Sequence, residues 1–279
     1  MDNTKEIEQK IALVKEWCSS GVEMPSEMAV QDDQTYVESN PLITGTSMQK
    51  AAKTDEELMN AVETSEEEGR EIYKKAPLNG CLSVMTMARN MAKFDPTNID
   101  DEKGKEKFLA YGNKLQSAPF FFLRSSEVSH MEHKEEDWNA TVNRIVDLYE
   151  GISSSDKEAV KNSIAALASA AMSKSGTRET KNLFVQSTIE YSKNINVFIY
   201  WSYITMQYEK GKSTSLQSEV DVYKMKLEFD SVMWPSYSDI IYSEGIKSIE
   251  KWMEENTVKS DKLEKVCFYG KKYTNMSIL

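Results

Sequence analysis

Cysteine and histidine are scarce in this chain, and the known signatures of catalysis are missing. The three cysteines among 279 residues, Cys18, Cys81 and Cys267, are odd in number and far apart. They form neither a disulfide framework nor a zinc-binding pattern. Each reads either as a buried thiol acting as a small hydrophobe or as a candidate for acylation. The two histidines, His130 and His133, sit together in SHMEHKEED. With Glu132, Glu135, Glu136 and Asp137 they are chemically able to hold a divalent metal. The spacing is not HExxH, however, and no third ligand is specified elsewhere, so the leading reading is a solvated acidic helix start with no metal. There is no glycine-rich phosphate loop, dinucleotide fingerprint or nucleophile elbow. The expectation is a protein that is not an enzyme and uses no cofactor.

Long apolar runs are also missing. No stretch approaches the roughly 18 residues that a membrane-spanning helix needs. The start, MDNTKEIEQKIALVKEW, carries charges of both signs where a signal peptide has an apolar core. The chain is therefore expected to be made soluble without a signal peptide, and to be cytoplasmic or released by a non-classical route. Eleven glycines and six prolines are few for this length and favour regular structure. Asp and Glu outnumber Lys and Arg by 45 to 34, a net charge of −11. That balance argues against nucleic acid as a partner, because phosphate is bound by cations, and against purely electrostatic adhesion to anionic lipid. It leaves insertion driven by apolar area open.

An apolar content of 40% suits a folded chain with a sizeable core. Residues 4–18 read as an amphipathic helix through Ile7, Ile11, Val14 and Trp17, closed by Gly21 and Pro25. Tyr36-Val37 and Leu42-Ile43 read as short strands or packed loop. Thr54 with Glu57 forms a capping box for a helix through Leu58, Ala61 and Val62, continued by a charged, solvated stretch to Lys75. Pro77 and Gly80 read as breaks before a methionine-rich helix from Leu82 to Phe94, and Phe108–Leu115 reads as another. Phe120, Phe121 and Phe122 read as a short buried strand or as an exposed apolar patch. Trp138, Val142, Ile145 and Tyr149 make a helical stripe with Gly151 as C-cap. Ser155 with Glu158 then caps an Ala-rich helix whose stripe is Val160, Ile164, Leu167 and Ala171. Ile246, Ile249, Trp252 and Met253 predict a last amphipathic helix.

The clearest signal of period two lies between Leu183 and Phe229. Tyr223, Met225, Leu227 and Phe229 alternate with Lys224, Lys226 and Glu228, as in a strand with one apolar face. Upstream, Ile204, Met206 and Tyr208 alternate with Thr205, Gln207 and Glu209, and a polar segment with Gly211 links the two runs as in antiparallel strands. Before them, Val197, Phe198, Ile199, Tyr200, Trp201 and Tyr203 make an aromatic-rich run that suits either a central strand of the core or a membrane-active strand. A lone strand cannot cross a bilayer with its backbone groups unsatisfied; only a closed oligomeric barrel can. The fold class expected is α+β, an antiparallel sheet wrapped by amphipathic helices, with a mostly all-α bundle as the alternative. One domain over 1–279 is expected, with a division near residue 125 as the alternative.

The order of elements across 142–229, carried by SIAALASAAM, KNLFVQSTIEY, VFIYWSYITMQY and VYKMKLEF, resembles the C-terminal half of the Cyt-type cytolytic delta-endotoxins, a fold shared by the Evf virulence factor. The resemblance covers about a third of the chain. It implies a central antiparallel sheet wrapped by helices, no enzymatic activity, and a toxin or virulence protein that engages host membrane lipid. The implied mechanism has helices peeling away so that long strands meet lipid and the protein forms a homo-oligomer. The residues expected to meet the membrane are Val197, Phe198, Ile199, Tyr200, Trp201, Tyr203, Ile204, Tyr223, Met225, Leu227 and Phe229. The alternative function is a soluble, non-lytic helical interaction protein.

Overall fold

A computed structural model describes residues 3–20, 35–36, 42–44, 66–96, 103–191, 194–210 and 214–243. It is built on three long strands made by the segment with the strongest alternation: β4 (Arg178–Tyr191), β5 (Asn194–Glu209) and β6 (Ser215–Phe229). They pair antiparallel in sequence order. β5 is rich in the β-branched and aromatic residues that suit a strand covered on both sides. A fourth long strand, β3 (Phe121–Glu135), pairs antiparallel with β6 and forms one edge. At the other side of β4 lie two short parallel strands, β1 (Thr35–Tyr36) and β2 (Leu42–Thr44). The class is α+β, with the sheet wrapped by helices.

Two helix layers cover the sheet. On one face pack α1 (Asn3–Ser19), α2 (Glu66–Lys74), α3 (Pro77–Met91), α4 (Gly104–Gln116) and α7 (234–243). Their core residues, among them Trp17, Tyr73, Val84, Tyr111 and Trp234, meet Ile195, Val197, Ile199 and Trp201 of β5 and Met225, Leu227 and Phe229 of β6. On the opposite face pack α5 (Trp138–Val146) and α6 (Ser154–Ser173). Their stripe of Val142, Ile145, Val160, Ile164, Leu167 and Ala171 meets Leu183, Val185, Tyr200, Ile204, Met206, Val220 and Val222. Successive strand residues point to opposite faces, so β5 feeds both cores. The α5–α6 pair also carries the chain from β3 at one edge to β4 near the other.

Several local expectations are corrected. Pro77 does not break the chain: it sits in the first turn of α3, where its missing N–H costs nothing, and Gly80 lies inside the same helix. The strand at Phe121 is neither short nor covered on both sides. It runs 15 residues, and Phe122 is 48% exposed while Phe120 and Phe121 are buried. SHMEHKEED is not a helix start, since its residues through Glu135 complete β3. Asp137 caps α5 instead, accepting from the Asn139 N–H at 2.9 Å. The cap of α6 is Ser153, two residues earlier than expected, with its hydroxyl accepting from the Asp156 N–H at 3.2 Å. α5 ends at Val146, so Gly151 is no C-cap; it serves a later turn at φ +79°, where an added Cβ would overlap the Phe198 ring. β4 begins at Arg178, five residues before the expected start. Tyr73 is buried, against the expectation of a solvated stretch to Lys75. The capping box at Thr54, the helix through Trp252, and Cys267 lie outside the described residues.

Candidate functional site: an apolar band under the helix layer

Strand parity sorts the expected membrane-facing residues into two groups. Val197, Ile199, Trp201, Tyr203, Tyr223, Met225, Leu227 and Phe229 share the face beneath α1–α4 and α7. Phe198, Tyr200 and Ile204 lie on the other face, under α5 and α6. Cross-strand partners stack the first group into rows: Ile195 with Phe229, Val197 with Leu227, Ile199 with Met225 and Trp201 with Tyr223. Pairs of this kind are the units that stabilise a sheet. β3 extends the rows with Phe121 opposite Phe229, Leu123 opposite Leu227 and Val128 opposite Tyr223. Sequence reasoning missed that third strand of the band. Its signal is interrupted by a register shift between Leu123 and Ser125, which moves the inward positions from 121 and 123 to 126 and 128.

On β5 the band runs from Ile195 to Tyr203, about 27 Å at 3.4 Å per residue, and on β6 from Phe229 to Tyr223, about 20 Å. The same face turns polar from the Tyr203 row on β6 and β3, with Asp221 and Glu219 on β6 and His130 and Glu132 on β3, and past Tyr203 on β5, with Thr205 and Gln207. The reverse face opposite the band is charged on β6 and β3. It carries Lys224, Lys226, Glu228 and Glu127, with Arg124 paired to Glu228 at 2.7 Å and Lys226 over the Phe198 ring at 5.4 Å. β4 adds Phe184 to the band, and its neighbour Gln186 accepts a hydrogen bond from the buried Tyr111 hydroxyl at 3.1 Å.

Buried hydroxyl and thiol groups mark how dry the two cores are. Burial pushes the pKa of Tyr111, Tyr149 and Tyr200, and of the Cys81 thiol, well above their ordinary values. The Tyr149 hydroxyl pairs with Ser202 Oγ, and the Tyr200 hydroxyl donates to the Glu150 carbonyl. Cys81 is wholly buried and Cys18 partly so, both as free thiols.

The two histidines, three residues apart in a strand, fall on opposite faces, so they do not form one site. His133 Nε2 lies 3.3 Å from Glu135. His130 Nδ1 lies 2.8 Å from Asp221 and its Nε2 3.5 Å from Glu132. Hydrogen bonds that the ring N–H groups donate to Asp221 and then Glu132 favour the charged imidazole and raise its pKa. Glu219 completes the group from β6. No described helix is long and apolar enough to cross a membrane.

No family model matches the sequence, and no curated protein matches it. Among solved structures, the fold resembles one described as a delta-endotoxin, with 10% identity and a TM-score of 0.38, covering 76% of this chain and 90% of that one. It also resembles the Evf virulence factor, with 10% identity and a TM-score of 0.34, covering 88% of this chain and 89% of that one. The likeness is weak and lies at the level of fold; it concerns the arrangement of helices and strands, and no activity is read from it.

Proposed function

We propose that the protein is a non-enzymatic, toxin-like protein that engages host membrane lipid by opening the helix layer over the apolar band. One observation supports this reading above the others. The apolar band runs about 27 Å along β5 and about 20 Å along its β6 neighbour, with β3 beside them, while β6 and β3 carry charges on its reverse. A transmembrane barrel wall has an outward apolar band of about 25 Å and a polar inner face. The strands, of 14 to 16 residues, exceed the 9–11 residues that a tilted transmembrane strand needs. In the folded chain the helices supply the apolar partner of the β5 and β6 rows that lipid would supply after opening, while Leu123 and Val128 of β3 are already exposed. Closure requires several copies, because an open sheet edge is not tolerated in hydrocarbon. β3, paired only with β6 among the described residues, offers an edge for a second copy.

Dye release from liposomes tests the reading, with a covalent clamp as its control. A Cβ at Gly112 on α4 would stand 2.7 Å from the Met225 methyl on β6. A Gly112→Cys/Met225→Cys variant, in a Cys18→Ser background, can therefore be bridged with a bifunctional thiol reagent. The bridged protein is expected to release dye at least tenfold more slowly than the same variant unbridged. Absence of binding and leakage across pH and lipid types would leave a non-lytic interaction protein as the reading. Equal leakage with and without the bridge would exclude opening of this helix layer.

A further inference from the structure

α1 is fastened to the helix layer by little apolar surface. Among its residues 8–19, only Val14 and Trp17 are buried. The Trp17 ring meets Phe120 edge-on at 5.3 Å. Phe120 in turn packs against Phe121 and Phe229, the pair at which the apolar band begins.

Polar groups then close the end of the helix from outside it. α1 has no basic residue of its own in its last turn. Lys114, in the last turn of α4, supplies the cation instead. Its Nζ donates to the Trp17 carbonyl at 2.6 Å, to the Ser20 carbonyl at 3.0 Å and to Ser20 Oγ at 2.7 Å. It also lies 4.8 Å from the centre of the Trp17 ring, and Trp17 Nε1–H donates back to the Lys114 carbonyl at 2.9 Å. The three protons of the ammonium thus have three acceptors, and carbonyls that a helix end leaves over are satisfied by a neighbouring helix.

Lys114 is 3% exposed, and no carboxylate pairs with it among the described residues. Neutral oxygens and the negative end of the α1 dipole hold its charge, and burial pushes its pKa down. When α1 leaves, water can take the place of all three acceptors, so opening strands no charge in an apolar interior. Removing the ammonium while α1 stays has the opposite result, because the Trp17 and Ser20 oxygens then lose their donor in a buried place. A helix held by two buried side chains and one such cap belongs to the part of a fold that opens first.

We propose that α1 is a releasable strap, which leaves the helix layer while the remainder stays folded, and that Lys114 is the positioning residue that latches it. Release takes the Trp17 cover from Phe120, next in the chain to the already exposed Phe122 and Leu123. That this apolar edge meets lipid first rests on the reading given above. The release itself does not, and it is measured in buffer without lipid, so the two can fail separately.

Thiol labelling of the full chain under native conditions tests the strap. A Val14→Cys variant in a Cys18→Ser/Cys267→Ser background carries one thiol beneath α1 and a second, Cys81, wholly buried in α3. The thiol at position 14 is expected to react with a maleimide at least tenfold faster than Cys81. Lys114→Met, which keeps an unbranched stem and removes the ammonium, should speed position 14 at least tenfold and leave Cys81 within about twofold. Lys105→Met, on the same helix but over the Tyr223 ring, should change neither rate. Hydrogen exchange on the unaltered chain makes the comparison without any substitution: the amides from Val14 to Cys18 should exchange at least tenfold faster than those from Phe108 to Leu115. Equal rates at the two thiols, equal exchange in the two helices, or a Lys114→Met variant that speeds both thiols alike or neither would overturn the proposal.

Discussion

Raising the pH from 9 to 11 is expected to remove roughly 6–7 kcal/mol of stability, a loss comparable with the whole margin of the less stable ordinary domains. Four buried acids carry the effect: Cys81, whose ordinary pKa is 9.0, and Tyr111, Tyr149 and Tyr200, ordinarily 10.0. All four are at least 96% buried, and burial raises each pKa in the folded state. In the unfolded chain each group loses its proton at its ordinary value, while the folded protein retains it. Folding stability from a raised acid is thus fully present below the unfolded pKa and falls as pH rises past it. The loss is about 1.4 kcal/mol per group per pH unit. At pH 11 the thiol has passed its ordinary value by about two units and each phenol by about one. Lys114 opposes them weakly. Its pKa is lowered by burial, so the cost of holding its charge inside is relieved as pH rises towards 10.5. Urea unfolding between pH 8.5 and 11 measures the sum. Cys81→Ala should flatten the segment between pH 9 and 10, and Tyr149→Phe the segment above it. A stability that stays level to pH 11 would mean that water reaches these groups in the folded protein.

How much of this was legible in the sequence depends on whether burial or backbone pairing decides each element. The rows of β5 and β6 were legible because alternate residues enter different cores, and Met225, Leu227 and Phe229 announce their face by parity. The stripe of α6 was legible for the matching reason at helical period: Val160, Ile164, Leu167 and Ala171 are all buried. β3 was not legible. Most of its residues are exposed, so it carries little apolar pattern, and the register shift at Arg124 reverses the parity of what pattern there is. The start of β4 failed likewise, because Arg178, Thr180 and Lys181 are placed by pairing with β5. The surroundings of the histidines follow from the same limit. His130 meets Asp221 and Glu219 only through the β3–β6 register, and chain proximity suggested His133, which a strand turns to the other side.

Trp234→Ala is expected to cost about 3–5 kcal/mol, the range for emptying a large aromatic from a close-packed interior. Trp234 opens α7, immediately before a proline, and is fully buried where the end of β6 meets α2 and α3. Its ring meets Tyr73 edge-on at 5.1 Å and Phe229 at 5.7 Å, and its Nε1–H donates to the Tyr73 carbonyl at 3.1 Å. Removal therefore opens a cavity and leaves that carbonyl with the Ala76 N–H as its remaining donor. Another wall of the pocket is the bare backbone of Gly80, where a Cβ would overlap the indole. Gly80→Ala sets two effects against each other. Replacing glycine inside a helix gains about 1 kcal/mol, and the overlap costs about 1–3 kcal/mol. The hydrogen bond to Tyr73 and the packed aromatic neighbours hold the ring in place, so the overlap should win and the variant should be less stable. In a Trp234→Phe background the shorter ring leaves room, and Gly80→Ala should become neutral or stabilising. That reversal is a coupling between two residues in contact, measurable by a double-mutant cycle. A stabilising Gly80→Ala in the unaltered protein would show that the indole is free to withdraw. The seam between β6 and the helix layer would then be looser than its contacts indicate.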